Sequence, residues 1–379
     1  MGNMKIPVAK PFLGEEEAEA VREVLLSGWV TQGKKVAEFE EIICEYVGAK
    51  YTIATSSCTT ALHLSFLSLG IGPGDEVILP SYTFIATANA VLHAGAKPVF
   101  VDIDPHTYNL DPAKIEEKIT SRTKAILPVH QVGLPCDMDE IMKIAKKYNL
   151  YVIEDAACAL GSKYKDKMVG IIGDITCFSF HPRKVITTGE GGAITTDIPE
   201  IAEKCRIIRS HGASISDLER HISSRIVFEK YTELGYNYRL TDIQAAVGIQ
   251  QMKRINEFIE KRRTLAERYT ELLGNNEFFI TPHVPSYAFH NFQSYILRLK
   301  EHAPFSRDEL MEKLLVKGIA TRRGIMAIHL EPYYLKNFAP ISLPETEKAL
   351  DTTVILPLYP QMTQEEQDYV IENILDICR

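Results

Sequence analysis

A single tryptophan, Trp29, stands in 379 residues, and no stretch approaches the roughly 18 consecutive apolar residues that a membrane span requires. Met1 to Pro11 holds no apolar core of secretory-signal length. The chain therefore reads as soluble and cytoplasmic, with no membrane partner. Cysteine is sparse. The seven residues Cys44, Cys58, Cys136, Cys158, Cys177, Cys205 and Cys378 are odd in number and scattered, and none forms a Cys-x-x-Cys pair. That pattern argues against a disulfide framework and against a zinc site or other resident metal, and it suits a reducing compartment. Positive charge is short as well: 42 Lys and Arg against 50 Asp and Glu leave a net charge of −8. No global field draws in nucleic acid or an anionic membrane, so an anionic substrate must be held by local donors. No internal repeat or low-complexity tract is found. The 45% hydrophobic and 24% charged residues belong to an ordinary globular chain, long enough to bury large cores without staples.

Short apolar, β-branched runs alternate with helical patterns through the first two-thirds, which predicts an α/β fold with a parallel sheet covered by helices. Seven strands are expected, at Tyr51–Ser56, Glu76–Leu79, Pro98–Asp102, Ala125–His130, Tyr151–Asp155, Ile175–Phe180 and Ala193–Thr196. Most are nearly continuous hydrophobic runs, as strands buried on both faces must be. A helix over Asp137–Tyr148 carries an apolar stripe of Met138, Ile141, Ile144, Ala145 and Tyr148, with Asp137 placed to cap it. Gly28 should end the first helix, and Asp242 should cap a later one. The polar stretch Ala213–Thr232 suggests a surface hairpin or lid. The remainder, with strands at Tyr295–Leu299 and Val354–Leu356, suits a smaller α+β domain, giving an expected division into 1–250 and 251–379.

Three segments can carry chemistry. In Thr55-Ser56-Ser57-Cys58-Thr59-Thr60, a strand runs into hydroxyl residues at a helix start, where free N–H groups can bind phosphate. Taken alone, simple N-capping explains it as well. In Tyr151-Val152-Ile153-Glu154-Asp155, two carboxylates end a buried strand, the edge at which open α/β sheets place ligands. A protonated heterocycle nitrogen is one partner that accounts for such an Asp, an ordinary salt bridge another. In Ser179-Phe180-His181-Pro182-Arg183-Lys184, a lysine lies beyond a strand and ahead of Gly189-Glu190-Gly191-Gly192, placed to form a Schiff base with an aldehyde cofactor. A surface lysine is the usual reading of any one Lys. The ordered combination favours the cofactor.

With these segments in hand, the sequence resembles the DegT/StrS family of sugar aminotransferases, pyridoxal-phosphate enzymes of the aspartate-aminotransferase type of fold. The likeness runs from Ser27-Gly28-Trp29-Val30-Thr31-Gln32-Gly33 through Gly70-Ile71-Gly72-Pro73-Gly74-Asp75, Phe84-Ile85-Ala86-Thr87, Glu154-Asp155-Ala156-Ala157 and Thr187-Thr188-Gly189-Glu190-Gly191-Gly192 to Gly235-Tyr236-Asn237-Tyr238-Arg239. It implies that Lys184 binds the cofactor and shuttles the proton, that Asp155 pairs with the pyridine nitrogen, and that Phe84 stacks on the ring. It also implies phosphate contacts at Cys58, Thr59, Thr60 and Ser179, and at Asn237 donated by the partner of a homodimer. Cys158 departs from the Gln or His usual there, and a thiol is only a weak donor.

On the substrate side the resemblance puts Trp29 and Thr31 near the sugar and makes Arg183, Arg239, His329 and Tyr333 candidates for nucleotide or diphosphate contacts. The activity implied is transfer of an amino group from an amino acid, glutamate by expectation, to a nucleotide-linked keto sugar, at C4 of a 6-deoxyhexose. Amination at C3 is the alternative. A dehydratase of the same fold is disfavoured because such relatives carry His where Lys184 stands. A ligand sensor without turnover is disfavoured because it has no use for a Schiff-base lysine.

Overall fold

Strands form where the apolar runs lie, and helices where apolar residues repeat at three- and four-residue spacing. The protein is described here by a computed structural model covering residues 5–215, 225–226 and 228–379. In its first half lie β1 (Tyr51–Thr55), β2 (Glu76–Pro80), β3 (Lys97–Val101), β4 (Thr123–Ile126), β5 (Tyr151–Asp155), the short hairpin of β6 (Lys163–Tyr164) and β7 (Lys167–Met168), β8 (Ile175–Ser179) and β9 (Gly192–Thr196). Seven of these make one sheet in the order β1-β9-β8-β5-β4-β2-β3. All pairs are parallel except those of β9, which runs against both β1 and β8. The sheet is thus mostly parallel, as the hydrophobic runs predicted.

Helices cover both faces: α1 (Glu15–Ser27), α2 (Lys34–Val47), α3 (Cys58–Ser68), α4 (Ala86–His93), α5 (Met138–Tyr148), α6 (Pro199–Arg209), α7 (Asp242–Lys253) and α8 (Ile255–Leu273). Leu62 and Phe66 of α3, Val91 of α4 and Ile201 of α6 pack on one face; Phe39 and Ile43 of α2 and Ile249 of α7 pack on the other. Gly28 closes α1 in the left-handed region, at φ 75°. Both expected aspartate caps are corrected. Asp137 makes no capping bond and instead accepts from the Tyr164 hydroxyl at 2.8 Å. Thr241 caps α7 in a capping box with Gln244. Asp242 turns its carboxylate to the start of α2, accepting from the N–H groups of Gly33, Lys35 and Val36 at 2.7, 3.2 and 3.0 Å.

α8 joins two cores: Phe258 and Ile259 pack under the large sheet, while Ala266, Tyr269 and Leu273 pack in a second core with Leu297, Leu310, Val354 and Ile371. That core lies against a four-stranded antiparallel sheet built from β10 (Phe279–Ile280), β12 (Tyr295–Leu299), β13 (Arg322–Arg323) and β14 (Thr353–Leu356), while β11 (Ala288–Phe289) pairs with β6. α9 (Arg307–Val316), α10 (Pro332–Asn337), α11 (Pro344–Thr352) and α12 (Gln364–Ile377) complete the chain. The expected division between 250 and 251 falls inside α7. The legs of the 213–232 excursion pair antiparallel through Ala213 and Tyr231; its residues 216–224 and 227 lie outside the described residues.

Candidate active site

The register of the large sheet assembles the site. Ser179 and Thr55 both pair with Gly192, and Asp155 pairs with Cys177, so these strand ends share one edge. Gly192 is required there. A Cβ on it would lie 2.5 Å from the Cys58 nitrogen, so only glycine lets α3 begin so close to the sheet. Above this edge is a cavity of about 410 Å³, lined among others by Cys58, Thr59, Phe84, Asp155, Cys158, Ser179, Arg183 and Lys184.

Lys184 Nζ donates to Cys158 Sγ at 3.1 Å. Burial draws the lysine down, but Cys158, Cys58 and Asp155 around it outweigh that and hold it above its ordinary value. Asp155 ends β5 with its side chain buried, accepting from Thr87 Oγ1 at 2.7 Å and Ala157 N at 3.1 Å. Thr83 and Thr87 hydroxyls lie 3.1 Å apart and extend that chain. Burial, then the neighbouring Asp155, pushes the Cys58 thiol well up, so this side chain is a neutral wall. Burial and then Arg183 lower His181, which also lines the cavity.

Pyridoxal phosphate fits these residues on three observations. Ser57 caps Thr60 N, while the N–H groups of Cys58 and Thr59, at the start of α3, find no acceptor among the described residues. Such a pair at a helix start is a ready phosphate site. Phe84 lines the cavity yet is 56% exposed, a ring face left for another ring to cover. Asp155, with only two donors, has acceptor capacity left for a ring N–H.

The structure keeps other expected residues away from this cavity. The Thr60 hydroxyl turns back into the capping box, accepting from Ser57 N at 3.0 Å. Trp29 folds over Gly33 and donates to the Gln32 carbonyl at 3.3 Å, and Thr31 is exposed, its carbonyl accepting from Asp242 N. His329 is buried, its imidazole taken up by Ser81 at 2.7 Å and Glu347 at 3.4 Å, so it ties the chain together and does not reach the cavity. Tyr333 is exposed with its ring against Tyr334. Arg239, half-exposed, also lies outside the lining; Asn237, expected to serve the neighbouring subunit's phosphate, is exposed and outside this chain's own cavity. Sequence reasoning missed Thr87 as the support of Asp155, and missed Gln293, Arg322 and Arg323 on the cavity wall. Thr87 ends the Phe84-Ile85-Ala86-Thr87 motif, where nothing local marks it as a partner of Asp155; the Arg322-Arg323 doublet is the one local signal for the others.

A lysine and an aspartate at adjoining strand ends over a phosphate-ready helix define the class: a pyridoxal-phosphate-dependent transferase. The chain belongs to the DegT/DnrJ/EryC1/StrS aminotransferase family, whose model matches residues 11–375. It is 41% identical over 381 residues to the spore coat polysaccharide biosynthesis protein SpsC of Bacillus subtilis, covering 100% of this chain and 98% of that one. Among solved structures it resembles Helicobacter pylori PseC, an aminotransferase of pseudoaminic acid biosynthesis, at 30% identity and TM-score 0.92 over 99% of both chains. It also resembles Spr1654 of Streptococcus pneumoniae in its PLP form, at 30% identity and TM-score 0.91 over 99% of both. The protein is a sugar aminotransferase that works with pyridoxal phosphate. Among the described residues, no helix is long and apolar enough to cross a membrane, and no group of acidic, His and Cys side chains is arranged to hold a metal ion.

Proposed function

We propose that this enzyme transfers the amino group of an amino acid, glutamate, to a keto sugar linked to a nucleoside diphosphate, at C4 of a 6-deoxyhexose. The observation that carries the anionic, nucleotide-linked part is the placement of Arg183, Arg322 and Arg323 on the wall of the Lys184 cavity, in a chain whose net charge is negative. Local guanidinium groups can hold a diphosphate where the global field repels it. By analogy with SpsC, we assign the product to surface polysaccharide synthesis, O-antigen type included.

Bound in the cavity, pyridoxal phosphate supplies an aldehyde carbon and a ring that accepts the electron pair released when a substrate C–H proton leaves. In this reading the Cys58 and Thr59 amides, with Ser179, would hold its phosphate, and Phe84 would stack on the ring. Asp155, fixed by Thr87 and Ala157 N, receives the ring N–H and keeps that charge in place. Lys184 is both the amine that anchors the cofactor and the base that takes and returns the substrate proton. Cys158 holds Lys184 Nζ between these tasks.

We place the function in a homodimer in which Asn237 serves the neighbour's phosphate site. Ile226, Phe228 and Leu234, near it in sequence, are 88, 83 and 85% exposed, three apolar side chains that a partner would cover. A twofold interface would complete two sites at once. Incubation with a panel of nucleotide-linked 4-keto and 3-keto sugars plus L-glutamate, with products identified by mass and NMR, tests the regiochemistry; amination only at C3 refutes the C4 assignment. Co-refolding Lys184→Ala with a crippled Asn237 variant tests the shared site. Random pairing leaves one intact site in roughly half the dimers, so activity should recover to about a quarter of wild type. No recovery, with mixed dimers confirmed by mass, overturns it.

A further inference from the structure

The segment His290-Asn291-Phe292-Gln293 comes from the second half of the chain but is bonded to the backbone on either side of the catalytic lysine's contact. Asn291 is fully buried. Its Nδ2 donates to the carbonyls of Cys158 at 2.9 Å and Leu160 at 3.0 Å, and its Oδ1 accepts from Gln293 N at 2.9 Å. Gln293, 8% exposed and on the cavity wall, donates from Nε2 to the carbonyl of Arg183 at 2.6 Å, the residue directly before Lys184. One clip therefore grips the peptide of Cys158 and the peptide leading into Lys184, the two residues whose Nζ and Sγ stand 3.1 Å apart.

The clip is itself over-determined. Phe292 sits at φ 48°, a left-handed conformation that bulky residues rarely adopt, with its N–H held by His290 Nδ1 at 3.1 Å and its ring stacked on that imidazole at 4.0 Å. Gly133 faces it, and a Cβ there would fall 1.8 Å from Asn291 Oδ1, so the approach is closed to any side chain. Behind it, Arg262 of α8 is buried and donates from Nη1 to the carbonyls of Gln293 and Leu358, each at 3.1 Å. Burial lowers Arg262 to about 10, the mark of a cation held by carbonyls alone. A buried cation at this price in desolvation calls for a role, and it is spent on fixing the clip's main chain.

We propose that Asn291 and Gln293, anchored by Arg262, are positioning residues that set Lys184 against Cys158 and Asp155, and so link the α8 layer to the geometry of proton transfer. This rests on Lys184 being the cofactor-bearing base. Asn291 lies outside the cavity lining and Gln293 turns its Nε2 onto the Arg183 carbonyl; they act by denying the Arg183–Lys184 peptide its freedom, and small displacements of a catalytic group cost up to about a hundredfold in rate.

The test uses holoenzyme of wild type and Gln293→Met, which keeps length and volume but removes the donor. Borohydride reduction and peptide mapping first fix the site of cofactor attachment; label on a peptide lacking Lys184 overturns the reading beneath the proposal. With label on Lys184, Gln293→Met should lower the single-turnover rate with L-glutamate by about tenfold or more. It should also displace the pH midpoint of the cofactor's visible band, a titration that needs no substrate. Melting temperature should stay within a few degrees, because only two hydrogen bonds are lost, the one to the Arg183 carbonyl and the one that Gln293 Oε1 accepts from the Ser294 hydroxyl at 3.1 Å. Asn291→Asp, which keeps shape but loses both donated bonds, should move the same midpoint. An unchanged midpoint and rate in Gln293→Met, or a rate loss matched by general unfolding, overturns the positioning role.

Discussion

Asp155→Asn exchanges one carboxylate oxygen for an amino group and so separates the charge of Asp155 from its shape. Asp155 accepts from Ala157 N, which cannot turn, and from the Thr87 hydroxyl, which can. The asparagine oxygen would stay on Ala157 N and its NH2 would face Thr87, whose proton can swing to Thr83 Oγ1, 3.1 Å away. The folded state thus loses at most one hydrogen bond, about 1 kcal/mol, or a few degrees in melting temperature. The reaction loses more. In the proposed role, the buried charge that would face the ring N–H is gone, and preorganised groups of this kind are worth about 2.7–4 kcal/mol, or 10²–10³ in kcat. Single-turnover reaction with L-glutamate, followed at the visible band beside a thermal melt, measures both numbers. A kcat within threefold of wild type refutes the role of Asp155, and a melting temperature lowered by more than about 10 °C refutes the claim that the loss is chemical.

Asp242→Ala leaves three N–H groups at the start of α2 without acceptors and should cost about 2–4 kcal/mol in urea unfolding, with Asp242→Asn losing less because one acceptor oxygen remains; a loss below about 1 kcal/mol contradicts this capping role. Asp102 accepts from Thr346 N and Oγ1, Glu345 N and Ile103 N, bonds that outweigh burial and hold it below its ordinary value. A depressed carboxylate contributes stability above the unfolded value near 3.9 and loses it as pH falls through the folded one, so melting temperature should drop below about pH 4, and more gently in Asp102→Asn. Equal slopes would show that the α11 tie does not matter. Cys158→Ser should keep most activity, since a hydroxyl can accept from Lys184 Nζ in the same place; loss of several orders of magnitude would make the thiol itself essential.

Much of the site was legible because its parts are local. Each of Asp155, Ser179 and Lys184 belongs to a strand end or the turn after it, and the hydrophobic run before each already fixes where the strand stops. Cys58 and Thr59 follow a strand and open a helix, a pattern readable within ten residues. Of the substrate-side candidates only Arg183 lines the cavity, because a lone Arg, His or Tyr carries no information about direction. His329 reads as a candidate nucleotide or diphosphate contact in sequence, yet Ser81 and Glu347, 248 and 18 residues away, engage both its nitrogens. Thr60 looked like a phosphate donor and is spent on its own helix cap.

Sequence by itself determined the α/β class, seven strands in the right order and the family, since hydrophobic period and motif spacing are properties of neighbouring residues; the strand expected at Ala125–His130 lies instead at Thr123–Ile126, ahead of Pro128, which has no N–H for the ladder. Tertiary structure alone decided the rest. It set β9 antiparallel, turned Asp242 onto a helix start more than 200 residues away, and brought Thr87 to Asp155 across 68 residues. It also laid the amides of Asn291 and Gln293 on carbonyls 133 and 110 residues distant. Such pairings depend on which surfaces meet when the sheets and helices pack, and a buried donor takes whichever acceptor that packing delivers.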